Sequence, residues 1–259
     1  MDLSWIITIF TIGFLGSFIS GMVGIGGSII NYPMLLFIPV ALGFAAFTPQ
    51  EVSAISAIQV FFASLMGMLV FRKGGFLNKS IVLYMGTSII VGSFIGSYVS
   101  NTLPSSAINS VYAILALIAA IMMFLPKQGQ DVQDVSKVTF NKPLAVILAL
   151  IIGMVSGIVG AAGAFITVPV MLVVLKIPTR VAIASSLAIT FISSIGATTG
   201  KLLGGHMLMV PSIVLVVAST IASPIGAKLS KKINTKILQW ILTALITATV
   251  FKIWYSILL

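Results

Sequence analysis

Ser20-Gly-Met-Val-Gly-Ile-Gly-Gly-Ser-Ile-Ile-Asn-Tyr-Pro33 occurs twice in this chain, the second time as Ser156-Gly-Ile-Val-Gly-Ala-Ala-Gly-Ala-Phe-Ile-Thr-Val-Pro169. Aligned without a gap, seven of the fourteen positions are identical. Each copy sits inside a long apolar run and is dense in glycine ahead of a proline. Glycine permits backbone conformations that other residues avoid, and proline removes a backbone donor, so each copy predicts a broken helix. A break at membrane depth leaves backbone groups that hydrocarbon cannot satisfy, so they must meet protein or a polar cavity. Two breaks in matching places are the sequence mark of a transporter's substrate site.

Composition supports a membrane setting. Of 259 residues, 59% are hydrophobic and 7% charged, which marks a polytopic membrane protein. The formal net charge of +10 comes from scattered residues between apolar runs. That pattern fits cytoplasmic anchoring and predicts no nucleic-acid partner. Cysteine is absent, which excludes disulfides and thiolate metal sites. Asp2 precedes the first apolar run without a basic leader or a small-residue cleavage site, so that run is expected to stay in the fold.

Outward from the first break, residues 3–46 are long enough for a full segment and a shorter one. Spans follow at 52–71, 80–100 and 105–125, and residues 126–142 form the one plausible linker. The second half repeats the plan. Val52/Val181, Ser56/Ser185, Phe62/Phe191, Ser64/Ser193 and Gly67/Gly196 are identical pairs, and Ser80-Ile-Val-Leu83 returns as Ser212-Ile-Val-Leu215. The expected organisation is therefore an N-terminal repeat (1–125), a cytoplasmic linker (126–142) and a C-terminal repeat (143–259). Corresponding turns carry opposite charge bias. Glu51 matches Arg180, and the uncharged turn at Asn101 matches Lys228, Lys231, Lys232 and Lys236. This predicts an all-α fold of two inverted repeats, about five segments each, with a glycine-broken helix near the midplane of each. Ten segments result, or eight where each broken pair counts as one, with both termini outside.

Glycine pairs at four-residue spacing, Gly92/Gly96, Gly153/Gly157 and Gly196/Gly200, read as helix packing. The breaks have the same bland explanation and a sharper one. A helix starting near Gly27 or Gly163 directs its positive dipole end inward, which suits an anion. Gly24, Gly26, Gly27 and Ser28 at the first break, and Gly160 and Gly163 at the second, would let that anion approach the backbone. Asn31 and Thr167 share a repeat position after the breaks. Ser56 and Gln59 share a helix face, as do Ser186 and Thr190, with Ser185 beside them. All are candidate substrate contacts, although serine and threonine often only bond their own helix. No carboxylate falls inside a span, and no His-Glu-x-x-His or Gly-x-Ser-x-Gly occurs. No enzymatic activity, cofactor or metal site is expected.

Gly24-Ile-Gly-Gly27 ahead of Pro33, its counterpart Gly160-Ala-Ala-Gly163 ahead of Pro169, and Ala184-Ser-Ser-Leu187 resemble the sulfite exporter TauE/SafE family across essentially the whole chain. The second copy departs from the glycine pattern by two alanines. The resemblance implies a multi-pass transporter of the bacterial cytoplasmic membrane. Its substrates would be small sulfur-containing anions, either sulfite or organosulfonates such as sulfoacetate and taurine. The remaining alternative is a channel-like or scaffold protein whose glycines serve packing alone. The partners expected are the anionic substrate and the lipid bilayer, with a homo-oligomer left open.

Overall fold

The structure, a computed structural model, describes residues 3–72, 75–125, 135 and 138–258, apart from the side chains of residues 164, 235, 242, 245, 249, 250 and 252–258. Among them the chain forms ten α-helices and no strand: α1 (Leu3–Val23), α2 (Ser28–Ala41), α3 (Pro49–Arg72), α4 (Lys79–Val99), α5 (Ser105–Phe124), α6 (Lys142–Val159), α7 (Ala164–Val173), α8 (Thr179–Leu203), α9 (Met209–Ser230) and α10 (Thr235–Leu258). Seven of the described helices are long and apolar enough to cross a membrane. With 14 and 10 residues, α2 and α7 are too short: they extend roughly 21 and 15 Å, against a hydrocarbon core of about 30 Å. Residues 126–134, 136 and 137, most of the expected linker, lie outside the described residues.

Local chemistry sets the helix starts. Thr48 and Glu51 cap α3 reciprocally, the Thr48 N–H donating to Glu51 Oε2 at 2.7 Å and the Glu51 N–H to Thr48 Oγ1 at 3.3 Å. Asn78 and Asn141 accept from the N–H groups of Ile81 and Leu144 to cap α4 and α6. Inside α2, Pro33 lacks the N–H that would bond the Ile29 carbonyl. The Tyr112 hydroxyl of α5 donates to that carbonyl instead, at 2.6 Å.

Small residues set the packing, and the contacts fix helix directions. Gly13 lies against Leu215 and Ala218, and Gly21 against Ser223, so α1 and α9 run parallel. The Ser223 hydroxyl donates to the Ala63 carbonyl and Lys231 Nζ to the Val70 carbonyl, so α3 runs with α9. Gly153 meets Ile89 while Gly157 meets Ser93 and Ser97, which makes α4 and α6 parallel. Ser93 donates to the Ser193 carbonyl at 2.7 Å and Asn101 to the Gly200 carbonyl at 2.9 Å, aligning α4 with α8. Phe61 packs on Phe191 with ring centroids 5.0 Å apart, and Gly67 on Leu187, so α3 and α8 are antiparallel. Helices that correspond in sequence (α1 and α6, α3 and α8, α4 and α9) therefore run in opposite directions. A Cβ built on Gly92, Gly96, Gly153, Gly157 or Gly196 would strike the partner helix's backbone. Outward faces carry exposed Ile7, Leu83, Val91, Ile114, Ile121, Ile147, Val217 and Trp240, a surface suited to lipid. The chain is a multi-pass, all-α membrane protein.

Candidate functional site

The two breaks share one backbone shape. Gly24, Gly26 and Gly27 adopt φ of +78°, +70° and +79°, and their counterparts Gly160, Ala162 and Gly163 adopt +76°, +50° and +73°. Three left-handed residues in four turn the chain back on itself, a conformation that favours glycine. Gly27 and Gly163 precede α2 and α7 without any side-chain cap. The positive end of each short helix thus starts inside the protein.

The chemistry around the breaks differs. At the first, Gly16 of α1 has no side chain, and the Asn31 carboxamide fills the space a methyl would take. A Cβ on Gly27 would lie 3.0 Å from the Gly16 carbonyl and 3.2 Å from Gln59 Nε2. Gln59 Nε2 donates to Ser17 Oγ at 2.6 Å. From α8, the Ser186 hydroxyl donates to the Gly24 carbonyl at 2.9 Å, and Thr190 follows one turn later. The structure therefore gathers Gly24, Gly27, Asn31, Gln59 and Ser186 around one turn of chain, with Ser28 opening α2 and Gly26 inside the turn. Asn31 Oδ1 and Nδ2, Gln59 Oε1 and the hydroxyls of Ser20, Ser28, Ser56 and Thr190 are all buried without a protein partner. Buried polar groups are almost always paired, so these groups look to water or a ligand.

At the second break the corresponding groups are satisfied or apolar. Thr167, the counterpart of Asn31, donates to the Gly163 carbonyl of its own helix at 2.6 Å. Ser156, the counterpart of Ser20, donates to the Ile152 carbonyl. Ser185, the counterpart of Ser56, accepts from the Asn78 N–H at 3.2 Å. Ile152 stands where the first half has Gly16, and its side chain lies with that of Ile89 against Gly163. Ala57, Val60 and Ala197 pack around Ala162. Gly160 is held by Ser53, whose hydroxyl donates to the Ile158 carbonyl at 3.1 Å. Gly160, Gly163, Thr167 and Ser185 are thus not part of the unpaired cluster. Ser64 and Ser193 reverse the trend: Ser64 donates to the Val60 carbonyl and Ser193 Oγ is unpaired.

Sequence reasoning did not single out Gly16, Ser17 or Ser20. Ser20 lies in the repeated stretch itself, and Gly16 reads as one more small residue. It also missed the aromatic tie between the short helices. Tyr112 stacks on Tyr32 of α2 at 4.4 Å and lies 5.8 Å from Phe165 of α7, while Tyr32 donates to Asn109 Oδ1. Lys201 is buried in the last turn of α8, which continues to Leu203. A surface cavity of about 770 Å³ between Asn78, Lys79, Phe140 and Lys142 opens at the starts of α4 and α6, apart from both breaks. Among the described residues no cluster of three or more His, Cys, Asp or Glu could hold a metal.

Comparison with known proteins is consistent with this arrangement. A family model described as "Sulfite exporter TauE/SafE" matches residues 9–253. Two Bacillus subtilis (strain 168) proteins are similar along most of their length. One, the probable membrane transporter protein YunE, is 23% identical over 79% of this chain and 81% of its own. The other, the probable membrane transporter protein YdhB, is 27% identical over 78% and 82%. A probable membrane transporter protein of Xylella fastidiosa (strain Temecula1) is 27% identical over 71% and 69%. No solved structure matches.

Proposed function

The chain belongs to the sulfite exporter TauE/SafE family of membrane transporters, and from that premise we propose that it moves hydrogensulfite or a small organosulfonate of at most one net negative charge, bound at the first break. The observation that carries this reading is the set of unpaired atoms on Ser28, Asn31 and Gln59 at the uncapped start of α2, with further unpaired hydroxyls on Ser20 of α1, Ser56 of α3 and Thr190 of α8. Hydroxyls, the Asn31 amide N–H groups and the helix dipole supply donors for an oxyanion. Among the described residues no fixed cation joins them, which suits one negative charge better than two. The acceptors matter as much. With Gln59 Nε2 engaged by Ser17, Gln59 Oε1 can only accept, as can Asn31 Oδ1. A ligand that carries its own donor, such as hydrogensulfite or the ammonium of taurine, satisfies them, whereas sulfate leaves them facing oxygen. Opposite directions of corresponding helices support an inverted repeat, the architecture from which alternating access follows.

The test is uptake into proteoliposomes of sulfite, sulfoacetate, taurine, sulfate and acetate. Saturable flux of sulfite or taurine, above that of the dianions sulfoacetate and sulfate and above that of acetate, is the expected result. No saturable flux of any of the five would overturn the reading and leave packing as the explanation of the glycines.

A further inference from the structure

Lys201 is 2% exposed, near the end of α8. Its Nζ donates to Ser100 Oγ at 2.5 Å and to the Ile158 carbonyl at 2.9 Å. An ammonium has three donors, and neither of these acceptors carries charge. Glu51 is the only carboxylate among the described residues, and its Oε2 is occupied by the N–H and hydroxyl of Thr48. Charged side chains within membrane segments are costly, pair with an opposite charge or with carbonyls, and mark ion pathways. Lys201 has only the neutral half of that arrangement.

Its position gives the missing partner a chemistry. Ile158 lies two residues before Gly160, and the Ser53 hydroxyl donates to the same carbonyl that Lys201 uses. Ser100, Ser53 and Lys201 therefore gather at the second break, where the matching polar groups of the repeat are otherwise satisfied. Fifteen residues of α8 separate Lys201 from Ser186, which holds the first break, so the two positions stand about 22 Å apart along the helix. We propose that Lys201 is a second binding position for the transported anion, at the opposite end of α8 from the carboxamide cluster. In the conformation described, Ser100 and Ile158 hold the ammonium. An arriving oxyanion displaces them, because it adds to the hydrogen bond the attraction of opposite charges, which is several-fold stronger at a buried site than in water. The proposal rests on the reading of the chain as an anion transporter.

The absence of native cysteine provides the experiment. Ser100→Cys is made in the full chain, reconstituted, and treated with an impermeant methanethiosulfonate with and without taurine, whose sulfonate serves as the probe oxyanion. Modification should slow at least fivefold with the anion present. The protection should persist with Asn31→Leu added and vanish with Lys201→Met added. Should Lys201→Met fail to fold, Lys201→Gln replaces it, keeping two donors without the charge. A thiol at position 100 that is never modified, that is unprotected, or that stays protected without Lys201 would each overturn the proposal. Wild-type uptake with an unprotected thiol sinks the Lys201 position alone, whereas absent wild-type uptake sinks the transport reading beneath it.

Discussion

Replacing Asn31 by leucine separates a residue kept for a ligand from one kept for the fold. Asn31 is fully buried, and both polar atoms of its carboxamide lack a protein partner. An unsatisfied buried group costs roughly 1–3 kcal/mol, so the two atoms together burden the empty protein by about 2–6 kcal/mol, less whatever water recovers. Leucine keeps the branching at Cγ, and fitting its larger methyl groups beside Gly16 costs on the order of 1–3 kcal/mol, which the relief of the two polar atoms offsets. The empty variant is therefore expected to be at least as stable as the parent, by up to several kcal/mol. At roughly 2–4 °C per kcal/mol for a chain of this size, melting of the detergent-solubilised protein should hold or rise by several degrees. Binding should respond in the opposite sense. A hydrogen bond to a charged ligand contributes about 1.5–3 kcal/mol, so loss of the Asn31 donors should weaken the anion by roughly 10- to 150-fold. Thermal melting of the empty protein, paired with concentration-dependent uptake in proteoliposomes, measures both quantities. A variant that melts lower and transports less in proportion would show that Asn31 supports the fold. Unchanged uptake with an unchanged half-saturation concentration would remove it from the site.

Thr167→Val should leave uptake within about twofold of the parent, because its hydroxyl bonds only its own helix; a loss as large as that of Asn31→Leu would put Thr167 itself in contact with the substrate. Arg180 donates to the Lys231 and Ile233 carbonyls and lies 5.8 Å from the Phe76 ring, while Lys231 donates to the Val70 carbonyl, so these turns share one end of the molecule. Single cysteines at positions 75, 178 and 232 should therefore label from the same, cytoplasmic side; reagent reaching 178 from the other face would refute the orientation. Glu51→Gln keeps an oxygen that can accept the Thr48 N–H, so it should change stability by less than about 1 kcal/mol and leave the pH-gradient dependence of uptake unchanged. Loss of gradient-driven uptake with downhill exchange preserved would make Glu51 a coupling residue.

Much of the backbone was legible in the sequence because its causes are local. Glycine and proline at 24–33 and 160–169 predict the breaks, and the structure interrupts its helices at both. The substrate candidates were legible only as a set. Ser20, Ser56 and Asn31 look like their counterparts Ser156, Ser185 and Thr167, yet one group is unpaired and the other bonded. The difference lies in what faces them, and Gly16 against Ile152 is a contrast that hydropathy reads as two ordinary membrane residues. Lys201 was hidden for a related reason. Beside Gly204-Gly205 it reads as a turn lysine, but α8 extends past it, and α4 and α6 cover it.

The asymmetry bears on what the second break is for. Alanine in the left-handed region is disfavoured by roughly 1–2 kcal/mol, yet Ala162 holds φ +50° where its counterpart is Gly26. A segment needed only for packing could reach lower energy by continuing as helix, since its surroundings of Ala57, Val60, Ile89 and Ile152 are apolar. It does not continue; the left-handed turn is retained although its matching polar side chains are satisfied or lost. Shape and chemistry are therefore separable in this duplication. The backbone turn is kept in both halves, one for each direction of the chain, while within the repeated stretch the unpaired groups are Ser20, Ser28 and Asn31 of the first copy. An anion must be held well enough to enter and loosely enough to leave. A neutral cluster at the first break and a single ammonium at the proposed Lys201 position would divide that task between two unlike sites, so that neither has to hold the ion alone.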